Sequence, residues 1–301
     1  MTAPGPAADP GALRVTVVGS ADAFNAAGRG HSCYLLEADG ARPVMVDFGA
    51  TALFGLRRVG WRPNDVAAFV FTHLHGDHIG GFPYLVIDAL FNDPRPEPLR
   101  VVGPVGTEAR LMALLEATYG DAILDGRDLT LQFVEIPAGS THGVVGFGVE
   151  TFRADHMEPP DEPLCLRFTT PAGATVAFSG DTELGEGLRA AIAGVDLGVV
   201  ECSGLAPPCG RHCTWEDWQA ALPELDAQRL LLTHLGAAVR AAAPRLLLAR
   251  PSGGPRIDFA EDGMIVDVPP LTARRPERAR PPSRDRRPCS PGEEGAVPGD
   301  R

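Results

Sequence analysis

The chain has 301 residues, 44% of them hydrophobic, enough for one large domain or two small ones with a real core. Its net charge of −12 is carried without a single lysine, which excludes a Schiff-base or other catalytic lysine and a P-loop. No uncharged apolar run reaches the roughly 18 residues of a membrane-spanning helix. The opening MTAPGPAADPGAL lacks the basic start and apolar stretch of a signal peptide, so a cytoplasmic location is expected.

In chain order, residues 1–12 are rich in Pro, Ala and Gly and read as a disordered lead-in. Short apolar runs predict strands over Arg14–Val18, Ser32–Glu37, Pro43–Asp47, Ala67–Thr72, Leu99–Val102 and Leu129–Ile136. Further strands are predicted over Gly148–Arg153, Leu164–Thr170, Thr175–Phe178, Leu197–Val200, Arg229–Thr233, Ile257–Phe259 and Met264–Val268. Helices are predicted over Thr51–Arg58, Gly81–Phe91, Thr107–Tyr119, Thr214–Leu222 and Leu235–Leu248. Asp262-Gly263 is expected to close a hairpin before the last strand. Many strands with helices between them suggest two stacked sheets covered by helices, one domain over residues 13–271. Residues 272–301, rich in Pro and Arg and without hydrophobic periodicity, read as a disordered tail.

Charge is unevenly spread. The tail holds eight Arg against five acids, a surplus of +3, which leaves the other 271 residues at −15. So acidic a body is a poor general binder of nucleic acid, whose affinity comes mostly from neutralised phosphates. Bound divalent cations would offset part of that charge. The six cysteines (33, 165, 202, 209, 213 and 289) show no paired CxxC spacing and are expected to be reduced thiols. Cys209 and Cys213 flank His212 like half of a metal knuckle whose second half is missing.

The ligand chemistry is concentrated elsewhere. Three of the eight histidines fall in His73-Leu74-His75-Gly76-Asp77-His78, directly after an apolar run that reads as a buried strand. Period two puts His73 and His75 on one side of a continuing strand. Gly76 lets the chain turn, and Asp77 and His78 begin the next helix. Four ligand-type side chains within six residues suit two cations better than one. Further candidates follow other predicted strands: His156 in RADHMEPP, Asp181 in FSGDTE and His234 in LLLTHLG. A hairpin from Leu164–Thr170 through Pro171-Ala172-Gly173 to Thr175–Phe178 would bring His156 and Asp181 to one sheet edge.

This order of motifs (HLHGDH, a downstream His, SGDT, then TH) resembles the metallo-β-lactamase superfamily over about residues 13–270. The resemblance implies an α/β fold, an αββα sandwich of two mixed sheets flanked by helices. It implies that His73, His75 and His156 hold one divalent ion and that Asp77, His78 and His234 hold a second, with Asp181 bridging. Zinc is the usual occupant, and nitrogen and oxygen ligands also suit manganese or iron. The segments GDHIGGFPYL, PLRVVGPVGTEARLMALL and VTVVGSADAF are similar to the tRNase Z-like branch. So is Val200-Glu201-Cys202 followed by Arg211-His212-Cys213-Thr214; the matching acid and histidine of that branch assist the leaving group, which implies this role for Glu201 and His212. The flavodiiron branch carries Glu where this chain has His75, so redox chemistry is disfavoured. One feature departs from tRNase Z: only 24 residues separate His156 from Asp181, where many bacterial forms insert an arm that grips tRNA.

These readings converge on a dinuclear metal-dependent phosphodiesterase for a small or cyclic phosphodiester, working through a water shared by two cations. Asp77 or Asp181 accepts the water's proton, and His212, oriented by Glu201, protonates the leaving oxygen. Processing of tRNA 3′ ends is the alternative within the branch. The same metal site could instead serve a lactone, β-lactam or thioester. A metal-binding scaffold without turnover is the non-enzymatic reading. The superfamily often dimerises, which leaves a homodimer open.

Overall fold

The computed structural model describes residues 11–248 and 253–269. Seven strands form one sheet: β1 (Leu13–Gly19), β2 (Cys33–Ala38), β3 (Val44–Val46), β4 (Ala68–Val70), β5 (Leu99–Gly103), β6 (Leu131–Glu135) and, from the chain's end, β14 (Ile265–Val268). Their order is β14-β1-β2-β3-β4-β5-β6. The second sheet comprises β7 (Thr141–Val144), β8 (Phe147–Arg153), β9 (Leu164–Thr169), β10 (Thr175–Phe178), β11 (Leu197–Glu201), β12 (Arg229–Thr233) and β13 (Arg256–Phe259), in the order β13-β12-β11-β10-β9-β8-β7. The first sheet packs α1 (Ala52–Arg58), α3 (Phe82–Ile87) and α4 (Thr107–Tyr119) on its outer face; α2 (Gly76–Ile79) is a single turn ahead of α3. The second sheet carries α5 (Glu186–Ile192), α6 (Trp215–Ala221) and α7 (Ala237–Leu248). This is the αββα sandwich expected from the sequence.

Strand alternation explains the layers. In β2, Tyr34 and Leu36 face the other sheet while Cys33 and Leu35 lie under the helices. In β12, Leu231 points between the sheets while Leu230 and Leu232 meet the helices. Sheets buried on both faces read as unbroken apolar runs, as LLL and VV do here. Each buried Leu or Val side chain contributes roughly 1.5–3 kcal/mol.

The topology also decides where the chemistry sits. β3 and β4 run parallel, as do β10, β11 and β12. β8 pairs antiparallel with β9, and β9 with β10, so β8 points the same way as β10. The C-terminal ends of these strands therefore open on one edge of the sandwich. The chain leaves them at Asp47, at Thr72–His75, at His156, at Asp181, at Cys202 and at His234.

Several expectations are corrected. Asp262-Gly263 does form a turn, with Gly263 at φ 84°, but the strands on either side do not form a hairpin. β13 pairs in parallel with β12 and β14 pairs antiparallel with β1, so the turn carries the chain from one sheet to the other. β7 was not expected, because Thr141-His142-Gly143 breaks the apolar pattern; it is an edge strand. The helix expected over 81–91 ends at Ile87 and continues as one π-turn over Asp88–Asn92. Of the expected lead-in, Gly11 and Ala12 are described and Ala12 is buried. Residues 1–10 and the Arg-rich tail over 272–301 lie outside the described residues. No helix among the described residues is long and apolar enough to cross a membrane.

Candidate metal centre

At this edge the structure brings together every side chain the sequence singled out as a ligand. His73, His75 and His156 form one group, and Asp77, His78, Asp181 and His234 a second; within each group the ligand-type atoms all lie within 4.8 Å of one another. Asp181 reaches both groups. Its Oδ2 lies 3.8 Å from His73 Nε2 and from His156 Nε2, and 3.3 Å from His234 Nε2, while its Oδ1 lies 3.3 Å from His78 Nε2. Asp77 Oδ2 lies 3.3 Å from both His78 Nε2 and His234 Nε2. His75 Nδ1 faces His156 Nε2 at 2.9 Å.

Local structure accounts for this convergence. β4 ends at Val70, earlier than expected, and the chain runs extended through Thr72–His75 before turning into α2. His73 is buried and His75 is exposed, so the first ligand group spans from the core to the mouth of the site. α2 then turns Asp77 and His78 back toward the same space. Glycines allow the layers to close: a Cβ on Gly49 would run into the Asp77 carbonyl, and one on Gly180, at φ 56°, would lie 2.8 Å from the Thr72 Cβ. Below the cluster the protein is packed, leaving a void of about 10 Å³ bordered by Tyr34, Asp47, Thr72 and Phe178. That is room for no more than a single water, while His75 is exposed at the opposite side of the cluster.

Three polar atoms of the cluster are left unmatched. His73 Nε2, His78 Nε2 and Asp181 Oδ1 are buried without a hydrogen-bond partner. Orphaned polar atoms of this kind are rare in folded proteins, and a missing ion is one of the standard explanations. All three lie within the ligand groups, so the residues present fit a bound cation. Burial lowers His78 and His234, but the Asp181 carboxylate outweighs it and holds both above the ordinary histidine value in the metal-free cluster. Burial opposes ionisation of Asp181, but His234 and His78 outweigh it and hold its carboxyl well below the usual range. Burial also pushes the His73 imidazole well below its ordinary pKa, favouring the neutral ring that can act as a ligand.

Glu201 and His212 lie beside the cluster. His212 Nδ1 donates to Glu201 Oε1 at 2.9 Å. The His212 ring stacks on His234 with centroids 5.5 Å apart and meets His156 edge-on at 4.8 Å. Burial lowers the His212 pKa, but the Glu201 hydrogen bond and charge outweigh it, and the imidazole stands at about 9. Burial raises the Glu201 carboxyl. The loop bearing His212 is pinned on both sides. Thr214 caps α6 in a reciprocal box with Asp217, its N–H donating to Asp217 Oδ2 at 2.8 Å. The Arg211 carbonyl accepts from His156 Nδ1 at 3.0 Å, and the Arg211 guanidinium pairs with Glu158.

Two residues of this site were missed in the sequence. Asp47 is buried and accepts from Thr72 N at 2.8 Å, from Thr72 Oγ1 at 2.9 Å and from His78 Nδ1 at 2.8 Å. Ser203 connects His234 to Glu201. Asp47 carried the same signal as Asp181 and His234, a ligand-type residue at the end of an apolar strand, but no neighbouring motif drew attention to it. The half-knuckle of Cys209 and Cys213 is not built: among the described residues no cysteine joins a ligand group, and Cys213 Sγ donates to the Thr182 carbonyl at 3.1 Å. Burial pushes both thiols up, and the described cysteines are free.

Among solved structures, the chain is similar to the metallo-β-lactamase fold protein YhfI of Bacillus subtilis, with a TM-score of 0.69 and 20% identity over 85% of this chain and 99% of that one. It is likewise similar to the short form of human tRNase Z, with a TM-score of 0.65 and 20% identity over 85% of this chain and 99% of that one. Fold and site thus define a protein of the metallo-β-lactamase fold with His/Asp groups that could hold metal. Residues 13–246 match the family described as anti-Pycsar protein Apyc1, and the chain belongs to that family. It is also 30% identical over 227 residues to the uncharacterized protein Rv1339 of Mycobacterium tuberculosis, across 74% of this chain and 81% of that protein.

Proposed function

We propose that the protein is a dinuclear metal-dependent phosphodiesterase acting on a small or cyclic phosphodiester. His73, His75 and His156 would hold one divalent ion, and Asp77, His78 and His234 the other, with Asp181 shared. The observation that carries the reading is the Glu201–His212 pair standing 2.9 Å apart against this ligand set. An alkoxide leaving phosphorus needs a proton, and His212 is placed and charged to give one.

When bound, the ions supply Lewis-acid activation of water and neutralise phosphoryl oxygens. The chain's own residues do the rest. Asp77 is half-buried, lies in the second ligand group and takes the proton from the attacking water. His212, held in one tautomer by Glu201, protonates the departing oxygen; general acid catalysis is typically worth about 10²–10⁴-fold. Zinc fits the donor set, as do manganese and iron.

Size selection follows from charge and from one short connection. Outside the tail the 19 arginines are outnumbered by 34 acids, a net −15, so a stretch of several RNA phosphates meets a net repulsive body. The segment from His156 to Asp181 is spent on the β9–β10 hairpin and carries no arm. The carbonyl-directed reading uses the same ligands but needs the acid less. His212→Ala separates the two: a phosphodiester with an alkoxide leaving group loses at least about 100-fold in kcat, whereas a β-lactam or thioester activity is nearly spared.

A further inference from the structure

Ser203, just past β11, lies between the ligand set and the proposed acid. Its Oγ is 2.7 Å from Glu201 Oε2 and 2.9 Å from His234 Nδ1. A serine hydroxyl has one proton and can accept as well. Glu201 Oε1 already accepts from Thr182 N at 2.7 Å and from His212 Nδ1 at 2.9 Å, a pattern that matches a carboxylate with Oε2 left as an acceptor. The Ser203 proton therefore goes to Oε2, and the Ser203 lone pair accepts from His234 Nδ1–H. In the neutral ring that leaves Nε2 as the nitrogen without a proton, and Nε2 is the atom that faces Asp77 and Asp181, each at 3.3 Å. Two further groups lie at longer range, the His234 carbonyl at 3.3 Å and His212 Nδ1, whose proton goes to Glu201, at 3.4 Å. His234 itself sits at φ 51°, in the left-handed region.

We propose that Ser203 is a positioning residue for both halves of the site. It sets the tautomer in which His234 can hold an ion, and it anchors the carboxylate that aims His212. One glutamate thereby serves as the common acceptor for the ligand side and the acid side. The second half of the proposal rests on reading the site as a phosphodiesterase; the first half rests on donor geometry alone.

The test compares Ser203→Ala and Ser203→Thr with the wild-type chain. Zinc affinity is measured by competition with a chromophoric chelator, and the melting temperature of each metal-free variant serves as the folding control. Ser203→Ala is expected to bind zinc about 10–100-fold more weakly, the usual cost of losing the partner of a ligating histidine, while Ser203→Thr keeps wild-type affinity. Activity is then read at saturating zinc on two substrates. Bis-p-nitrophenyl phosphate releases a phenolate that needs no proton, and a nucleoside 3′,5′-cyclic phosphate releases an alkoxide that does. Ser203→Ala is expected to recover the first activity and to stay about tenfold down in kcat on the second. Wild-type zinc affinity in a folded Ser203→Ala would overturn the His234 half. Equal recovery on both substrates would overturn the Glu201 half. Failure of the zinc-loaded wild type on every phosphodiester would overturn the proposed function instead, and the zinc titration would still report on Ser203.

Discussion

Asp47→Asn is the most informative substitution for the buried base of the site. Asp47 accepts from three donors at once: the Thr72 amide at 2.8 Å, the Thr72 hydroxyl at 2.9 Å and His78 Nδ1 at 2.8 Å. Asparagine keeps the shape but replaces one acceptor oxygen with an NH₂. In one amide orientation the NH₂ meets Thr72 N–H, donor against donor. In the other it faces His78 Nδ1 and drives that ring to the tautomer whose Nε2 carries a proton toward the cluster. A hydrogen bond to a charged group is worth about 1.5–3 kcal/mol, so one mismatch costs the metal-free protein about that much. Zinc affinity should fall by about 10–100-fold, because His78 can no longer present a bare nitrogen without cost. Asp47→Ala strips all three donors of their acceptor, and about 3–5 kcal/mol of stability should go. Chemical denaturation of the metal-free protein and competitive zinc titration read the two effects separately. Wild-type zinc affinity in Asp47→Asn, with the fold intact, would refute the argument that Asp47 sets the state of His78.

Other substitutions probe the remaining parts. Asp181→Ala should lower bound zinc from about two ions per chain to fewer than one, since this carboxylate reaches both ligand groups; elemental analysis after gel filtration reads this. His212 is the donor in its protonated form and the Glu201 carboxylate raises it, so kcat on a cyclic phosphodiester should fall as pH rises past the His212 pKa, and the limb should vanish in His212→Ala. The same shift lies above the ordinary histidine value of about 6.5. Stabilisation from the Glu201 pair is therefore full below that pH and is lost as pH rises through about 9, which denaturation of wild type and His212→Ala across the range will show. Truncation after Leu271 should leave the melting temperature and turnover unchanged, because residues 272–301 carry no core pattern.

The clustering of these His and Asp residues is legible because histidine is scarce in this chain and each candidate follows an apolar run. Strand ends are where a sheet delivers side chains to an edge, and that rule covers His73, Asp181 and His234. What the pattern does not contain is partnership between distant strands. Asp262-Gly263 has the local chemistry of a hairpin turn, yet the residues before it pair with β12 and those after it with β1, a choice made by sheet packing. β7 is short and sits at an edge, so its Thr and His need no apolar neighbours. Asp47 and Ser203 are invisible for a related reason. Each acts through a second residue, His78 or His234, and such a role exists only once the fold has set their atoms 2.8 and 2.9 Å apart. Cys209 and Cys213 show the reverse case: spacing suggested a ligand pair, and the fold buries Cys213 against a carbonyl instead.

The central claim is tested most directly by kcat/KM of the zinc-loaded protein on a nucleoside 3′,5′-cyclic phosphate and on a precursor tRNA, side by side at physiological salt and with and without residues 272–301. The account predicts efficient hydrolysis of the cyclic substrate and orders of magnitude less on the tRNA with either form, because a body at net −15 repels a stretch of RNA phosphates. Efficient, site-specific cleavage of precursor tRNA 3′ ends by the truncated body would contradict it.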